Sequence, residues 1–388
     1  MPAPRLIIRH HSDGTLPDLA CYHITSRVVH RQFLFQDDEK EHFRLLMRMV
    51  ERFSGCRVLS YCVMTNHFHL LLEIPPPPRD QDGQEFEFGI SEDELIYRLG
   101  GLYSRAYVNG VKAEIATARE TAEGQRTGFD TLNPKDQERE INYGKSQLAA
   151  IFSRFTRRMH DLSEFMRALL QRFTRWFNKR HGLRGTLWED RFHSVIVESG
   201  LASRTMAAYL DLNPVRAGIC EDPADYRWSS YGEAVGGGRG AKKSQSGLVR
   251  ALRGHEGHPG NSRAWSQGGL SREYRRLLLA GATEQVESCS DGQTRVHRKG
   301  MPKARAEKER SRLEAPDSRD LKIAKVVHCR VRYFKDGAVL GSKKFVNDFF
   351  QKRREDFSEK RKDGARRPRG SLKDLAGDLW SLRDLKDG

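Results

Sequence analysis

Several features are missing from this 388-residue sequence, and each absence removes a class of protein. Its six cysteines, Cys21, Cys56, Cys62, Cys220, Cys289 and Cys329, form no C-x-x-C pair. That argues against a zinc ribbon or a disulfide framework and fits a reducing cytosol. No apolar run approaches the ~18 residues of a membrane span. The opening "MPAPRLIIRHHSDG" has no signal-peptide apolar stretch, so a cytoplasmic protein is expected. The "YGKS" at 143–146 fails as a phosphate-binding loop, because Arg139 stands where the pattern requires glycine. No internal repeat is visible.

Positive charge is abundant. The formal net charge is +16 and the isoelectric point is near 9.7. Such a surplus points to a polyanionic partner, nucleic acid before anionic membrane. Apolar residues make up 37% and charged residues 31%, which is lean for one globular unit and predicts a folded core with solvated segments.

The first 80 residues have a clear pattern. "CYHITSRVVHR" from Cys21 reads as a strand. "DDEKEHFRLLMRMVERFSG" reads as an amphipathic helix, with acids at its start, Phe43, Leu46, Met47 and Val50 at helical spacing, and Gly55 at its end. "CRVLSYCVM" and "HFHLLLEI" follow as two strands joined at Thr65–Asn66, and "PPPP" at 75–78 stops the sheet. Residues 79–160 read as an insertion, with a capping box at Ser91–Glu94 opening a helix and a polar loop at 116–145. "LSEFMRALLQRFTRWFNKRHG" is a strong helix and "SVIVES" a fourth strand. The helix bearing Tyr209 should end near Asn213, ahead of Pro214. Residues 233–320, rich in Gly, Ser and Arg, read as a flexible linker with a short helix at "SREYRRLLLAG". Residues 321–388 read as a small module: a hairpin turning at Asp336–Gly337, a helix after Ser342, and a basic tail.

The stretch "MTNHFHLLLEI", Met64 to Ile74, carries the chemistry. In a strand, alternate residues share a face, so His67 and His69 lie together, continued by Leu71 and Glu73. Phe68, Leu70, Leu72 and Ile74 form an apolar opposite face. Two imidazoles at this spacing can converge on one cation with positions left open. With 14 histidines in the chain, chance alone supplies about 0.5 such pairs, so the spacing by itself decides little.

The surroundings decide more. His67-Phe68-His69 resembles the His-hydrophobe-His motif of HUH endonucleases. "YCVMTNHFHLLLEIP" together with "YLDLNPVRAGI" resembles the REP-associated tyrosine transposases, single-tyrosine members of that group; "YHITSR" and "GTLWEDRFHSVIVES" are similar to further landmarks. The resemblance spans about residues 16–232 without the insertion. It implies a ferredoxin-like (RRM-like) α+β fold, an antiparallel sheet with helices on one face, in a domain covering 1–232. It implies Tyr209 as nucleophile and a divalent cation, Mg²⁺ or Mn²⁺, held by His67, His69 and Asn213. It implies cleavage and rejoining of single-stranded DNA at hairpin-forming repeats through a 5′-phosphotyrosine, by a monomer or a homodimer. Candidate DNA contacts are Arg27, Arg191 and Arg216, with a basic stripe of Arg167, Arg172, Arg175 and Lys179 and the tail from Lys352 to Arg369. The alternative is a non-catalytic DNA- or RNA-binding protein on the same scaffold. An acidic-triad nuclease is a poor fit, because the acids of "DDEK" at 37–40 are contiguous at a helix start, where they favour the dipole.

Overall fold

The structure is a computed structural model that describes residues 21–80, 82–254, 262–267, 269–288, 294–298, 300–313, 334, 337–357, 359–367 and 379–383. In chain order the elements are β1 (Cys21–Arg27), α1 (Asp37–Ser54), β2 (Arg57–Val63), β3 (His67–Glu73), α2 (Glu92–Leu99), α3 (Arg105–Ala122), α4 (Pro134–Thr156), α5 (Leu162–His181), β4 (His193–Val197), α6 (Leu201–Asp211), α7 (Asn213–Arg216), α8 (Ser230–Gly236), α9 (Ala241–Arg253), α10 (Arg263–Gln267), α11 (Leu270–Ala282), β5 (Gln285–Ser288), β6 (Thr294–Arg298), α12 (Lys303–Ser311), β7 (Gly337–Gly341), α13 (Lys343–Lys352) and β8 (Trp380–Arg383). They fall into two units, one of residues 1–44, 57–73 and 184–388 and one of residues 45–56 and 74–183. Among the described residues no helix is long and apolar enough to cross a membrane.

The first unit is mixed α and β around a six-stranded sheet of order β2-β3-β1-β4-β7-β8, antiparallel except where β7 runs parallel to β4. Register decides which side chains share a face. Arg27 lies opposite His67, Thr25 opposite His69 and His23 opposite Leu71; on the other flank, His193 lies opposite Thr25. One face therefore carries His23, Thr25, Arg27, His67, His69 and His193. The other carries Phe68, which stacks on Phe43 of α1 at 4.6 Å and meets Trp188 edge-on at 5.5 Å.

The sequence predicted helices on one face only. The structure has them on both, since α1 reaches Phe68 while α6 lies over β2, β3, β4 and β7 on the histidine side. The reason is burial: Leu71, Val195 and His69 are at most 2% exposed and require cover. The sheet is also wider than four strands. β7 and β8 extend it past β4, whose outer backbone groups would otherwise present an open edge. The first strand of the hairpin expected before Gly337 lies outside the described residues.

Residues 233–320 differ most from the flexible linker that composition suggested. Here α9 buries Leu248, Val249 and Leu252, and α11 buries Tyr274, Leu277 and Leu278. Gly247 sits where a Cβ would collide with the carbonyls of Val58 and Leu59, so glycine is what lets α9 approach β2. Arg250 then reaches the buried Glu73, Nη2 to Oε1 at 2.7 Å. Glycine and arginine, read as signs of a loop, are here packing and charge-neutralising residues.

The second unit is helical. Ser91 caps α2 through the amide of Glu94, as the capping box predicts. The helix then breaks at Gly100–Gly101 and restarts at α3 with Ser104 as its cap. The polar stretch 116–145, expected as a loop, is largely helix. Asn133 caps α4 with Pro134 in its first turn, and Val108, Val111 and Ile115 of α3 and Leu148, Ile151 and Phe155 of α4 are buried in this antiparallel pair. Gly144 lies against the backbone of Ala122, too close for any side chain. The basic stripe on α5 is divided. Arg167 is paired with Glu164, and Arg172 is half-buried with its cation 5.7 Å from the Tyr103 ring, while Arg175 and Lys179 are exposed.

Candidate active site

The histidine face opens into a cavity of about 340 Å³ lined by Thr25, Ser26, Arg27, His67, His69, Glu189, Asp190, Arg191 and His193. Four of the residues singled out in the sequence, Arg27, His67, His69 and Arg191, thus meet in one place. Alternation along β1 and β3 supplies three of them. Arg191 comes from the loop entering β4, which is tied to β1 by the Glu189 amide on the Arg27 carbonyl, 2.9 Å.

His67 is half-buried, and its Nδ1 lies 2.7 Å from Asn66 Oδ1. Asn66 donates its Nδ2 to the Arg31 carbonyl at 3.0 Å, so the atom facing His67 is an acceptor. His67 Nδ1 therefore carries the proton, and in the neutral imidazole Nε2 holds the lone pair. His69 is fully buried, with its ring 5.0 Å from that of His67 at an interplanar angle of 83°.

Tyr209 is brought to His69 by α6. Its ring meets that of His69 edge-on at 5.9 Å and that of His23 at 6.1 Å, and Phe334 packs against it at 4.9 Å. The phenol side chain is 3% exposed, so it adjoins the cavity through His69 instead of lining it. α6 ends at Asp211, close to the end expected near Asn213, but the chain does not leave helical geometry ahead of Pro214. Leu212 keeps helical geometry and α7 continues with Pro214 in its first turn, where the missing amide costs nothing. Tyr209, Asn213 and Arg216 consequently share a face, and Arg216 lies over the Tyr209 ring at 5.0 Å. Arg216 is engaged with Tyr209 and does not line the cavity.

Among the described residues no group of three or more His, Cys, Asp or Glu side chains is placed to hold a metal ion. A mixed set of two imidazoles and the Asn213 amide lies outside that description and fits a cation in one respect: His67 turns a lone pair away from its own hydrogen bond. Asn213 Nδ2 is buried with no hydrogen-bond partner among the described residues; as a donor it calls for an acceptor such as a phosphate oxygen, while the amide oxygen is the atom that could meet a cation.

Sequence reasoning missed His193, Glu189 and Asp190 in the cavity, and Phe334 beside Tyr209. His193 had a signal, since it lies two residues from Arg191 at the start of a strand. Phe334 had none, because only the assembled sheet brings it to Tyr209.

Asp211 is the last residue of α6. Its carboxylate is fully buried and accepts from the Tyr231 amide at 2.9 Å and the Tyr274 hydroxyl at 2.7 Å. Burial pushes its pKa up to about 7, against the pull of those hydrogen bonds.

Comparison with known proteins bears on the same segment. No curated protein matches the chain. A solved structure, that of the REP-associated tyrosine transposase bound to a REP hairpin, is similar over 61% of this chain and 86% of its own, at 14% identity and a TM-score of 0.30. Residues 18–79 match the family described as "Transposase IS200 like". The segment that supplies β1, β2 and the histidine strand β3 carries the signature of the IS200-like transposases.

Proposed function

We propose that this protein is a DNA strand transferase that cleaves and rejoins single-stranded DNA at hairpin-forming repeats through a 5′-phosphotyrosine. The observation that carries the reading is the convergence of His67, His69, Arg27 and Arg191 on one cavity, with the ring of Tyr209 against His69. The order β2-β3-β1-β4, antiparallel throughout, supports a ferredoxin-like reading of these four strands.

In this reading Arg27 and Arg191 hold phosphate oxygens at the cavity mouth. Tyr209 Oη attacks the scissile phosphorus and loses its proton to water, and the bond from phosphorus to the 3′-oxygen breaks, leaving a 3′-hydroxyl. The new phosphotyrosine keeps the energy of the broken phosphodiester, so rejoining needs no ATP. His67, His69 and Asn213 are the residues that would hold Mg²⁺ or Mn²⁺, and such a cation would polarise the phosphate and stabilise the charge of the five-coordinate transition state. Asn66, by fixing His67, keeps one imidazole nitrogen turned outward.

A second reading, a single-strand DNA- or RNA-binding protein without turnover, is favoured by one observation: Tyr209 is only 3% exposed, flanked by His23, His69, Phe334 and Arg216. One experiment separates the two. End-labelled hairpin DNA is mixed with the protein and Mg²⁺ or Mn²⁺. The transferase reading expects a covalent adduct that disappears in Tyr209→Phe. Cleavage that survives that change removes Tyr209 as nucleophile, and binding with no adduct supports the second reading.

A further inference from the structure

We propose that His23, anchored by the main-chain carbonyl of Phe334, is a positioning residue that locks His69 into the tautomer with its lone pair on Nε2. The inference rests on the reading of His69 as a cation ligand and adds a part of the chain far from the histidine strand to that site.

His23 Nδ1 lies 2.6 Å from the Phe334 carbonyl oxygen. A carbonyl only accepts, so His23 Nδ1 carries a proton. In a neutral imidazole the other nitrogen then holds the lone pair, and His23 Nε2 lies 3.0 Å from His69 Nδ1. His69 Nδ1 must therefore be the donor, which leaves the lone pair of His69 on Nε2. The opposite assignment requires His23 to carry both protons. That would put a cation at a side chain only 1% exposed, between a neutral carbonyl and a neutral imidazole, at a large desolvation cost.

The rings agree with this chain of bonds. His23 and His69 are nearly parallel, 14° apart with centroids at 5.3 Å, and both are buried. His67 arrives at the same state by a separate route, through Asn66. Both imidazoles of the H-x-H pair are thus Nδ1–H tautomers, which is the arrangement in which a ligating histidine donates its second nitrogen to a supporting acceptor. His23 is not a third ligand, because both of its nitrogens are spent on Phe334 and His69. Phe334 lies 311 residues from His23 in sequence, so the C-terminal part of the chain orients a side chain on β3 through one intermediary.

The test uses the full-length protein labelled with ¹⁵N-histidine, free of metal and DNA. Two-bond ¹H–¹⁵N spectra should show His69 protonated on Nδ1 and bare on Nε2; the reverse pattern overturns the proposal. Mn²⁺ affinity is then measured by paramagnetic resonance for two variants. In His23→Gln the amide can donate to Phe334 and accept from His69, so affinity should stay within about threefold of wild type. In His23→Leu neither bond is possible, and affinity should fall by ~10-fold or more. Equal binding by wild type and His23→Leu overturns the proposal, and so does a Gln variant as impaired as the Leu variant. None of these readouts involves strand transfer, whose own test is the covalent adduct.

Discussion

The ring of Tyr209 stands edge-on to the imidazole of His69, with centroids 5.9 Å apart and planes at 84°. This contact joins the helix that carries the candidate nucleophile to the strand that carries the candidate ligands. It depends on the aromatic ring and not on the hydroxyl. Tyr209→Phe should therefore keep the unfolding free energy within about 1 kcal/mol of wild type while losing the DNA adduct. Denaturant titration beside the adduct assay checks both halves.

The two histidines of the pair should respond differently to removal. His69→Ala deletes a fully buried imidazole and leaves His23 Nε2 without its donor, a cost of about 2 kcal/mol. His67 is half-buried and its loss should cost less than about 1 kcal/mol. Both variants should lose metal-dependent cleavage. A His67→Ala protein that cleaves normally with Mg²⁺ would remove His67 from the ligand set.

Asp211 predicts a pH-dependent stability. Its folded pKa of about 7 lies above the unfolded value of 3.8, so the folded state holds a proton that the unfolded state has released. Its stabilising contribution is complete below about pH 4 and is lost as the pH rises toward 7 and through it. About three pKa units correspond to roughly 4 kcal/mol at most. Asp211→Asn lacks this titration, so its stability relative to wild type should rise steadily between pH 4 and 7. Parallel curves for the two proteins over that window would contradict the assignment.

The tie between α9 and the sheet should be measurable. Arg250→Ala leaves Glu73, 1% exposed, with the partly exposed Arg57 at 3.2 Å as its ion-pair partner among the described residues. Breaking a buried ion pair costs about 3 kcal/mol at the low end of the usual range, and the remaining Arg57 places this case there. Urea unfolding of the variant should show that loss; a change under about 1 kcal/mol would mean that α9 adds little to the sheet.

The cavity arginines should control the salt dependence of DNA binding. Each phosphate contact removed from a single strand lowers the slope of log K against log salt by about 0.7. Arg27→Ala and Arg191→Ala should each do so, and Arg172→Ala, whose side chain rests on Tyr103, should not. Fluorescence anisotropy at several salt concentrations distinguishes them.

The histidine strand was legible because its alternation is a local property. Phe68, Leu70 and Leu72 had to face one way, which sent His67 and His69 the other. The placement of Tyr209 came from resemblance to a family, since nothing local separates it from any helical tyrosine. The region after 232 was misread for a physical reason. Gly247 and Arg250 look like linker residues until β2 and Glu73 are beside them. The polar helices α3 and α4 were hidden by their charge, because Glu, Arg, Lys and Gln form helices readily yet supply no strong apolar stripe. His23 was visible only as a histidine on a strand, and its task depends on Phe334, which no spacing rule reaches.

The hydrogen bond from His23 to Phe334 also sets an order of events at the ribosome. His67, His69 and Tyr209 are all synthesised well before residue 334. At about 5–20 residues per second, the chain between Tyr209 and Phe334 takes on the order of 10 s to emerge. A nascent chain thus carries the whole set of candidate reactive side chains while His69 still lacks the support that fixes its proton. A residue made long after Tyr209 supports a site whose first residues, His23 among them, were made much earlier.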